Sequence, residues 1–270
     1  MNDLCHKIYI ASAKYNNIED LMKQIYNIDS NEKYDLIVVA PSWLPEKIMK
    51  NYNVNIITLS RHAYFGSYLV EYENKRIAWI QCASGANNLI DTVLTFAKSI
   101  TDTVVFIGAV GALKPEINLG ELVTPAYSLA FEGGSLYTYE KIDISNFGNK
   151  ITPNSIFLNQ VLELAKFKNI DLKVRSVYCT DSIICEYVHL DHIKKYNCDL
   201  IEMETAAFYR SIELIGKRGI ALLVVSDNSA SGVSLISRTE EQTKVFHNSR
   251  ETNIPELLLG LCDIKSLEKI

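Results

Sequence analysis

The stretch TVVFIG at 103–108 is apolar nearly throughout, and GIALLVVS at 219–226 repeats this pattern. Strands of such composition are typical of a parallel sheet that helices cover on both faces. Further strand candidates lie at 35–40, 54–59, 77–82, 121–124 and 173–179, and helix candidates lie at 87–100, 154–168, 204–216, 238–250 and 255–262. The alternation predicts an α/β fold with a largely central sheet, to which the hairpin-like segment 54–82 adds antiparallel or mixed pairing.

The length and the distribution of glycine and proline indicate one domain. The chain has 270 residues, enough for one large domain or two small ones. Gly is only 12 and Pro only 6, without a cluster that would mark a linker. We therefore predict a short N-terminal appendage at 1–33 and a single domain at 34–270.

Charge and cysteine usage restrict the partners. Lys plus Arg is 27 and Asp plus Glu is 32, and this mildly acidic balance disfavours nucleic acid or an anionic membrane as a partner. The six cysteines form no C-x-x-C pair, which favours buried reduced thiols and a cytoplasmic location. No apolar run approaches the ~18 residues of a membrane span, and the start of the chain does not resemble a signal peptide.

Acidic residues follow two of the predicted strands. In LIEMETAA at 200–207, Glu202 and Glu204 interrupt an apolar segment, and a carboxylate there can accept two hydrogen bonds from a vicinal diol. The alternative is that they stabilise a helix N-terminus through its dipole. Asp227 directly follows the strand of VVSDN at 224–228, where a turn or cap is the alternative. If the two strand ends are successive in a parallel unit, these acids face one crevice.

Small residues mark two further places where a ligand could approach the backbone. FIGAVGA at 106–112 contains Gly108 and Ala109 but lacks the G-x-G-x-x-G fingerprint, and tight packing explains its glycines equally well. In ASGANN at 83–88, Ser84 and Gly85 lead into a helix whose N–H groups suit an anion or a sugar oxygen. Simple N-capping is the alternative there.

Taken in this order, the motifs resemble the type I nucleoside phosphorylase/nucleosidase family over roughly residues 34–262. The segments that carry the resemblance are VVFIGAVGALKPEINLGELVTP (104–125), FEGGSLYTY (131–139), CTDSI (179–183), DLIEMETAAFY (199–209) and ALLVVSDN (221–228). The resemblance implies a three-layer α/β/α sandwich around a mixed, partly barrel-like sheet. It also implies cleavage of an N-glycosidic bond with no metal or organic cofactor, and with phosphate as a co-substrate in a phosphorylase.

The resemblance also implies roles for individual residues. Glu204 would bind the ribose 2′- and 3′-hydroxyls, with Met203 under the sugar and Glu202 supporting the site. Asp227 would be the general acid at purine N7, positioned by Ser226, and pyrimidines have no N7. The remaining residues expected at the substrate are Thr180 and Ile183 beside the base, with Tyr178 or Tyr187 replacing an aromatic that the family often has at 183.

The expected anion site departs from the family pattern. Leu44, Phe106 and Ala109 stand where phosphorylases of the family have two arginines and a serine, and this loss removes most charge-assisted bonds to a dianion. The residues that would compensate are Arg61, which resembles an arginine borrowed from a neighbouring subunit, and Lys47. Glu46 falls near the glutamate with which nucleosidases of the family activate water, although a helix N-terminal acid is the alternative. Arg238 would steady Asp227.

These departures favour hydrolysis of a purine-type nucleoside over phosphorolysis. A phosphate-dependent purine nucleoside phosphorylase and a catalytically silent nucleoside-binding protein are the alternatives. The resemblance also implies a homo-oligomer (dimer, trimer or hexamer) with Arg61 and His62 as groups shared across subunits. Trp43 and the aromatic stretch 62–72 would shape a pocket for the 5′ substituent, or else belong to the core or an interface.

Overall fold

A computed structural model describes residues 1–62 and 65–264 of the chain. Of the aromatic stretch 62–72, residues 63 and 64 therefore lie outside the described residues. The α-helices are α1 (Asp3–Asn16), α2 (Leu21–Tyr26), α3 (Pro45–Ile48), α4 (Ala86–Leu94), α5 (Ser155–Phe167), α6 (Leu190–Ile193), α7 (Thr205–Ile215) and α8 (Glu240–Leu261). The strands are β1 (Leu36–Pro41), β2 (Asn55–Arg61), β3 (Gly66–Tyr72), β4 (Lys75–Cys82), β5 (Thr103–Ala112), β6 (Leu122–Ala130), β7 (Lys150–Ile151), β8 (Leu172–Cys179), β9 (Leu200–Glu202) and β10 (Arg218–Asn228).

The strands form a mixed sheet that closes on itself around β5. Strand β5 pairs in parallel with β10 and antiparallel with β9, and β6 and β8 complete a ring of five strands between them. On its other side β5 continues through β1, β4, β3 and β2, while β7 pairs with β6. The predicted mixed and partly barrel-like sheet is confirmed, and so is the antiparallel pairing within 54–82.

Helices cover the sheet on both faces, because side chains alternate along each strand. On β5, Val104 and Phe106 pack into one hydrophobic core and Val105 and Ile107 into another. Residues of α4 and α7 complete the first core, and residues of α5 and α8 complete the second. The three-layer α/β/α sandwich is therefore confirmed, and it explains why these strands are apolar throughout.

One helix differs from the sequence prediction. The segments 238–250 and 255–262 were predicted as separate helices, whereas α8 continues through Pro255, although proline usually ends a helix. Proline removes the bond that would reach the carbonyl of Glu251, and Asn51 Nδ2 donates to that oxygen instead at 3.0 Å. A side chain from another part of the chain thus satisfies the acceptor that proline leaves free.

The first 33 residues contain two helices that the sequence reading did not predict. Cys5 of α1, Met22 of α2 and Ile28 after it are fully buried in the core shared with α4 and α7. The backbone N–H of Asn2 donates to the carbonyl of Leu214, which ties the start of the chain to α7. The division of the chain at residue 33 stays a prediction. None of the helices within 1–62 and 65–264 combines the length and the apolar character needed to cross a membrane.

Candidate active site

A cavity of about 200 Å³ lies where β5 ends between β9 and β10. Its wall contains most of the residues that the sequence singled out. Those that line it are Ser84, Phe106, Gly108, Ala109, Ile183, Glu202, Met203, Glu204, Ser226 and Asp227, together with Trp43. The other lining residues, which the sequence did not single out, are Pro41, Ser42, Val110, Gly111, Glu186, Ile201 and Leu235.

Gly111 brings the two acidic strand ends together. It lies opposite Ile201 of β9 on one side and opposite Asp227 of β10 on the other. A Cβ atom at this position would lie 2.9 Å from Asp227 Oδ2 and 3.2 Å from Ile201 Cγ2. Any residue other than glycine would therefore displace the Asp227 carboxyl. The expectation of successive parallel strands was wrong, because β9 runs antiparallel to β5 and the two acids reach the cavity from opposite sides of β5.

The carboxyl of Asp227 is held at the end of β10. The Ser226 hydroxyl donates to Asp227 Oδ1 at 2.6 Å, and Arg238 Nη1 donates to the Ser226 carbonyl at 2.8 Å. Burial raises the pKa of Asp227 above its ordinary value, although the Ser226 hydrogen bond and the Arg238 charge both act to lower it. The group therefore retains a proton more readily than an exposed aspartate.

Glu204 lies at the N-cap of α7 and is buried. Its Oε1 accepts a hydrogen bond from the backbone N–H of Gly85 at 2.6 Å, and its Oε2 accepts one from that of Met203 at 3.2 Å. Burial, and then the negative charge of Glu202, raises the pKa of Glu204 to about 8. The N–H of Gly85 at the start of α4 was expected to face a ligand. It instead bonds the Glu204 carboxyl, which lines the cavity.

The carboxyl oxygens of Glu202 accept their hydrogen bonds from groups within the protein. Its carboxyl accepts from the backbone N–H groups of Glu204 and Thr205, from the Thr205 hydroxyl and from the Cys179 thiol, at 2.7 to 3.1 Å. These contacts satisfy the free N–H groups at the start of α7. Thr180 supports Glu202 and is not part of the cavity wall. Its N–H donates to the Glu202 backbone carbonyl at 2.8 Å.

A second cavity of about 330 Å³ adjoins the first and shares Ser42 and Ser84 with it. Its wall contains Arg61, His62 and Leu44. Arg61 therefore faces a cavity of its own chain, separate from the wall that holds the acidic groups.

Two further residues expected at the anion site lie outside both cavity walls. Glu46 and Lys47 are exposed on the short helix α3. Burial raises the pKa of the Tyr68 hydroxyl, and the charge of Glu46 raises it further, whereas the charge of Arg61 lowers it.

Of the aromatic residues expected at the site, Trp43 lines the cavity, whereas Tyr178 and Tyr187 do not. Tyr178 stacks on Phe131 with ring centroids 4.6 Å apart, in a separate apolar cluster. Tyr187 is about half exposed and is not part of the cavity wall. The aromatic residues at the cavity are Phe106 and Trp43, and Trp43 packs edge-on against Phe246.

Sequence reasoning missed Glu186. It lies on a 3₁₀ turn (Cys185–His189), is buried, and lines the cavity. Burial, and then the negative charge of Asp227, raises its pKa to about 7. Its neighbours in IICEYVH gave no signal, because an isolated acid in a loop usually faces solvent.

Among the described residues, the acids of the cavity are not part of a side-chain group that could hold a metal ion. Within the described part of the chain, no three His, Cys, Asp or Glu side chains converge in an arrangement that could hold a metal ion.

Comparison with known proteins identifies relatives of this chain. The model of the phosphorylase superfamily matches residues 42–259. The chain is 25% identical to a DeoD-type purine nucleoside phosphorylase of Anoxybacillus flavithermus over 67% of this chain and 74% of that protein. It is 27% identical to an aminodeoxyfutalosine nucleosidase of Campylobacter jejuni over 56% of this chain and 67% of that protein. A uridine phosphorylase from Vibrio fischeri shares the fold with a TM-score of 0.72 at 18% identity, covering 92% of this chain and 100% of that one.

Proposed function

Because the chain belongs to the phosphorylase superfamily, we propose that it cleaves the N-glycosidic bond of a purine nucleoside, and that it does so by hydrolysis. The observation that carries this proposal is the pairing of Glu204 and Asp227 in one cavity, on opposite sides of β5. In this proposal Glu204 binds the sugar and Asp227 protonates the departing base. Both purine nucleoside phosphorylases and a nucleosidase are among the relatives.

The chemistry explains why two separate carboxyl groups are needed. As the C1′–N9 bond breaks, positive charge develops on the sugar and negative charge on the base, as in glycoside hydrolysis. A protonated Asp227 gives its proton to N7 and neutralises the leaving base, for which its raised pKa is suited. An ionised Glu204 accepts hydrogen bonds from the ribose 2′- and 3′-hydroxyls, and these bonds favour its charged form in the complex.

The balance of charge in the cavity favours water over phosphate as the nucleophile. Among its lining residues within 1–62 and 65–264 there are four carboxylic acids and no lysine or arginine. A phosphate dianion there would find no guanidinium or ammonium group to bind it. Glu46 remains our predicted base for the attacking water. Since its side chain lies outside the cavity wall, this assignment needs a direct test, which Glu46→Gln provides.

Phosphorolysis is the second candidate, and a specific observation favours it. Arg61 and His62 line the adjoining cavity, which meets the first at Ser42 and Ser84. A phosphate bound by Arg61 would enter from that side. Binding of a nucleoside without turnover is the third candidate.

A product assay separates these candidates. Adenosine, inosine, guanosine, methylthioadenosine and uridine are each incubated with the protein, with and without phosphate. We expect free purine base and the free sugar without phosphate, the sugar being ribose or, from methylthioadenosine, methylthioribose, and no release from uridine, which lacks N7. Ribose 1-phosphate formed only with phosphate would replace hydrolysis by phosphorolysis, and binding without any product would contradict the enzymatic proposal.

A further inference from the structure

A bulge in β10 sets the direction of the Asp227 side chain. The pairing of β10 with β5 passes from Val225 directly to Asp227, which leaves Ser226 as an extra residue. Bulges of this kind occur next to active sites, where they redirect a side chain. Because successive side chains of a strand point to opposite faces, a slip of one residue would turn Asp227 away from the cavity. The strand must therefore be held in register beyond the bulge.

Asn228, the last residue of β10, is only 1% exposed and makes four side-chain hydrogen bonds. Its Nδ2 donates to the carbonyl of Lys114 at 2.9 Å and to that of Ile117 at 2.8 Å. Its Oδ1 accepts from the backbone N–H of Ala230 at 2.8 Å and from that of Ser231 at 3.0 Å. Both donors of the amide and both acceptor positions of its oxygen are thus used within the protein.

These bonds join the end of β10 to two segments, 113–121 between β5 and β6 and 229–239 between β10 and α8. The backbone of Asn228 strengthens the second connection, because it exchanges two hydrogen bonds with Val233 at 2.9 and 3.0 Å. Arg238 of the same segment bonds the Ser226 carbonyl at 2.8 Å. The backbone is therefore fixed on both sides of Asp227.

The pattern of bonds at Asn228 requires an amide. An ionised aspartate of the same shape accepts hydrogen bonds but donates none, so it would lose both bonds to segment 113–121. Serine is shorter and has a single donor. Either substitution would release the end of β10 from at least one of the two segments.

We propose that Asn228 is a positioning residue for the acid, and that it keeps Asp227 directed into the cavity by fixing the register of β10 beyond the bulge. This inference rests on the proposed function, in which Asp227 protonates the leaving base. Asn228 is not part of the cavity wall, so it acts through Asp227 and not on the substrate. A misplacement of about 1 Å at a reacting group can cost about 10²-fold in rate.

The test compares the cleavage of adenosine with that of a riboside of 4-nitrophenol, whose leaving group needs no proton. The proteins are the wild type, Asn228→Ser, Asn228→Asp and a control variant, Asn154→Ala. Serine adds no charge and aspartate retains the shape, so an effect common to both comes from the lost bonds. Asn154 caps α5 by accepting from the Phe157 N–H at 3.0 Å and lies outside both cavity walls.

We expect kcat for adenosine to fall by about tenfold or more in both Asn228 variants, and cleavage of the 4-nitrophenyl riboside to fall far less. Asn154→Ala should lower the melting temperature and retain both activities. The melting temperatures also verify that the Asn228 variants are folded. Equal losses for the two substrates would assign Asn228 a merely structural role and overturn the proposal, and so would near-wild-type cleavage of adenosine by both variants.

Binding of free bases keeps this test separate from the proposed function. Adenine and 7-deazaadenine, which carries a C–H group in place of N7, are titrated into each protein by calorimetry. A wild-type preference for adenine that both Asn228 variants lose supports the positioning role. A preference that both variants retain, or a wild type without one, overturns it. If no nucleoside is cleaved but the preference for N7 depends on Asn228, the proposed reaction fails while the role of Asn228 stands.

Discussion

At the scale of single residues, the site depends on carboxyl groups whose surroundings oppose ionisation to different degrees. Asp227 has a hydroxyl donor and a nearby guanidinium, whereas Glu204 has two backbone donors but also the charge of Glu202 beside it. Pairs of acids whose environments differ in this way suit a division between proton donor and hydrogen-bond acceptor.

Replacing Asp227 by alanine or asparagine should lower kcat for purine nucleosides by about 10²–10⁴-fold, the usual contribution of general acid catalysis. A riboside of 4-nitrophenol provides the internal control, because its leaving group is stable without protonation and its cleavage should fall far less. Both rates are measured in steady state, and the melting temperature verifies folding. Near-wild-type turnover of adenosine by either variant would refute the acid role.

At the scale of elements, two departures from local preference depend on distant parts of the chain. Strand β9 has only three residues and still places Glu202 and Glu204, because β5 and β8 pair with it on both sides. Helix α8 contains an internal proline and still continues, because Asn51 bonds the carbonyl of Glu251. In both cases tertiary contacts replace what the local sequence lacks.

The proline in α8 allows a double-mutant cycle. Asn51→Ala should lower the free energy of unfolding by about 1 kcal/mol, because it leaves the Glu251 carbonyl without its side-chain donor. In a Pro255→Ala background the restored backbone N–H can bond that carbonyl, so the same substitution should cost less. Urea denaturation of the four proteins measures the coupling, and equal costs in both backgrounds would show that Asn51 does not serve this carbonyl.

At the scale of the whole molecule, the fold buries several acids, and burial raises their pKa values. Glu132 and Glu186 are raised to about 7 and Glu204 to about 8. In the unfolded chain these groups titrate near 4.3. At pH values between the pKa values of the unfolded and folded states, the folded protein binds more protons than the unfolded chain. Its free energy of unfolding therefore falls as pH rises.

We therefore expect the free energy of unfolding to fall by about 1–3 kcal/mol between pH 6.5 and pH 8. Acids with lowered pKa values, such as Glu251 and Glu256, titrate below this window and do not offset the effect. Denaturation at several pH values measures the slope, and Glu204→Gln should reduce it by removing the group with the highest of these values. A slope of opposite sign, or one unchanged by Glu204→Gln, would contradict the assignment.

The sequence by itself determined the α/β class, most strands of the sheet, and the acids at the ends of two strands. These features are local: strands buried on both faces must be apolar, and a strand end that carries an acid is visible in LIEMETAA and VVSDN. Family membership could also be predicted, because the motifs occur in a fixed order.

Only the tertiary structure decided how these parts meet. It placed Glu204 and Asp227 on opposite sides of β5, brought Glu186 into the cavity and left Glu46 outside the wall. It also joined two predicted helices into α8. The physical reason is that strand pairing, burial of a loop acid and the partner of a free carbonyl are set by residues far apart in the chain, and no local pattern contains that information.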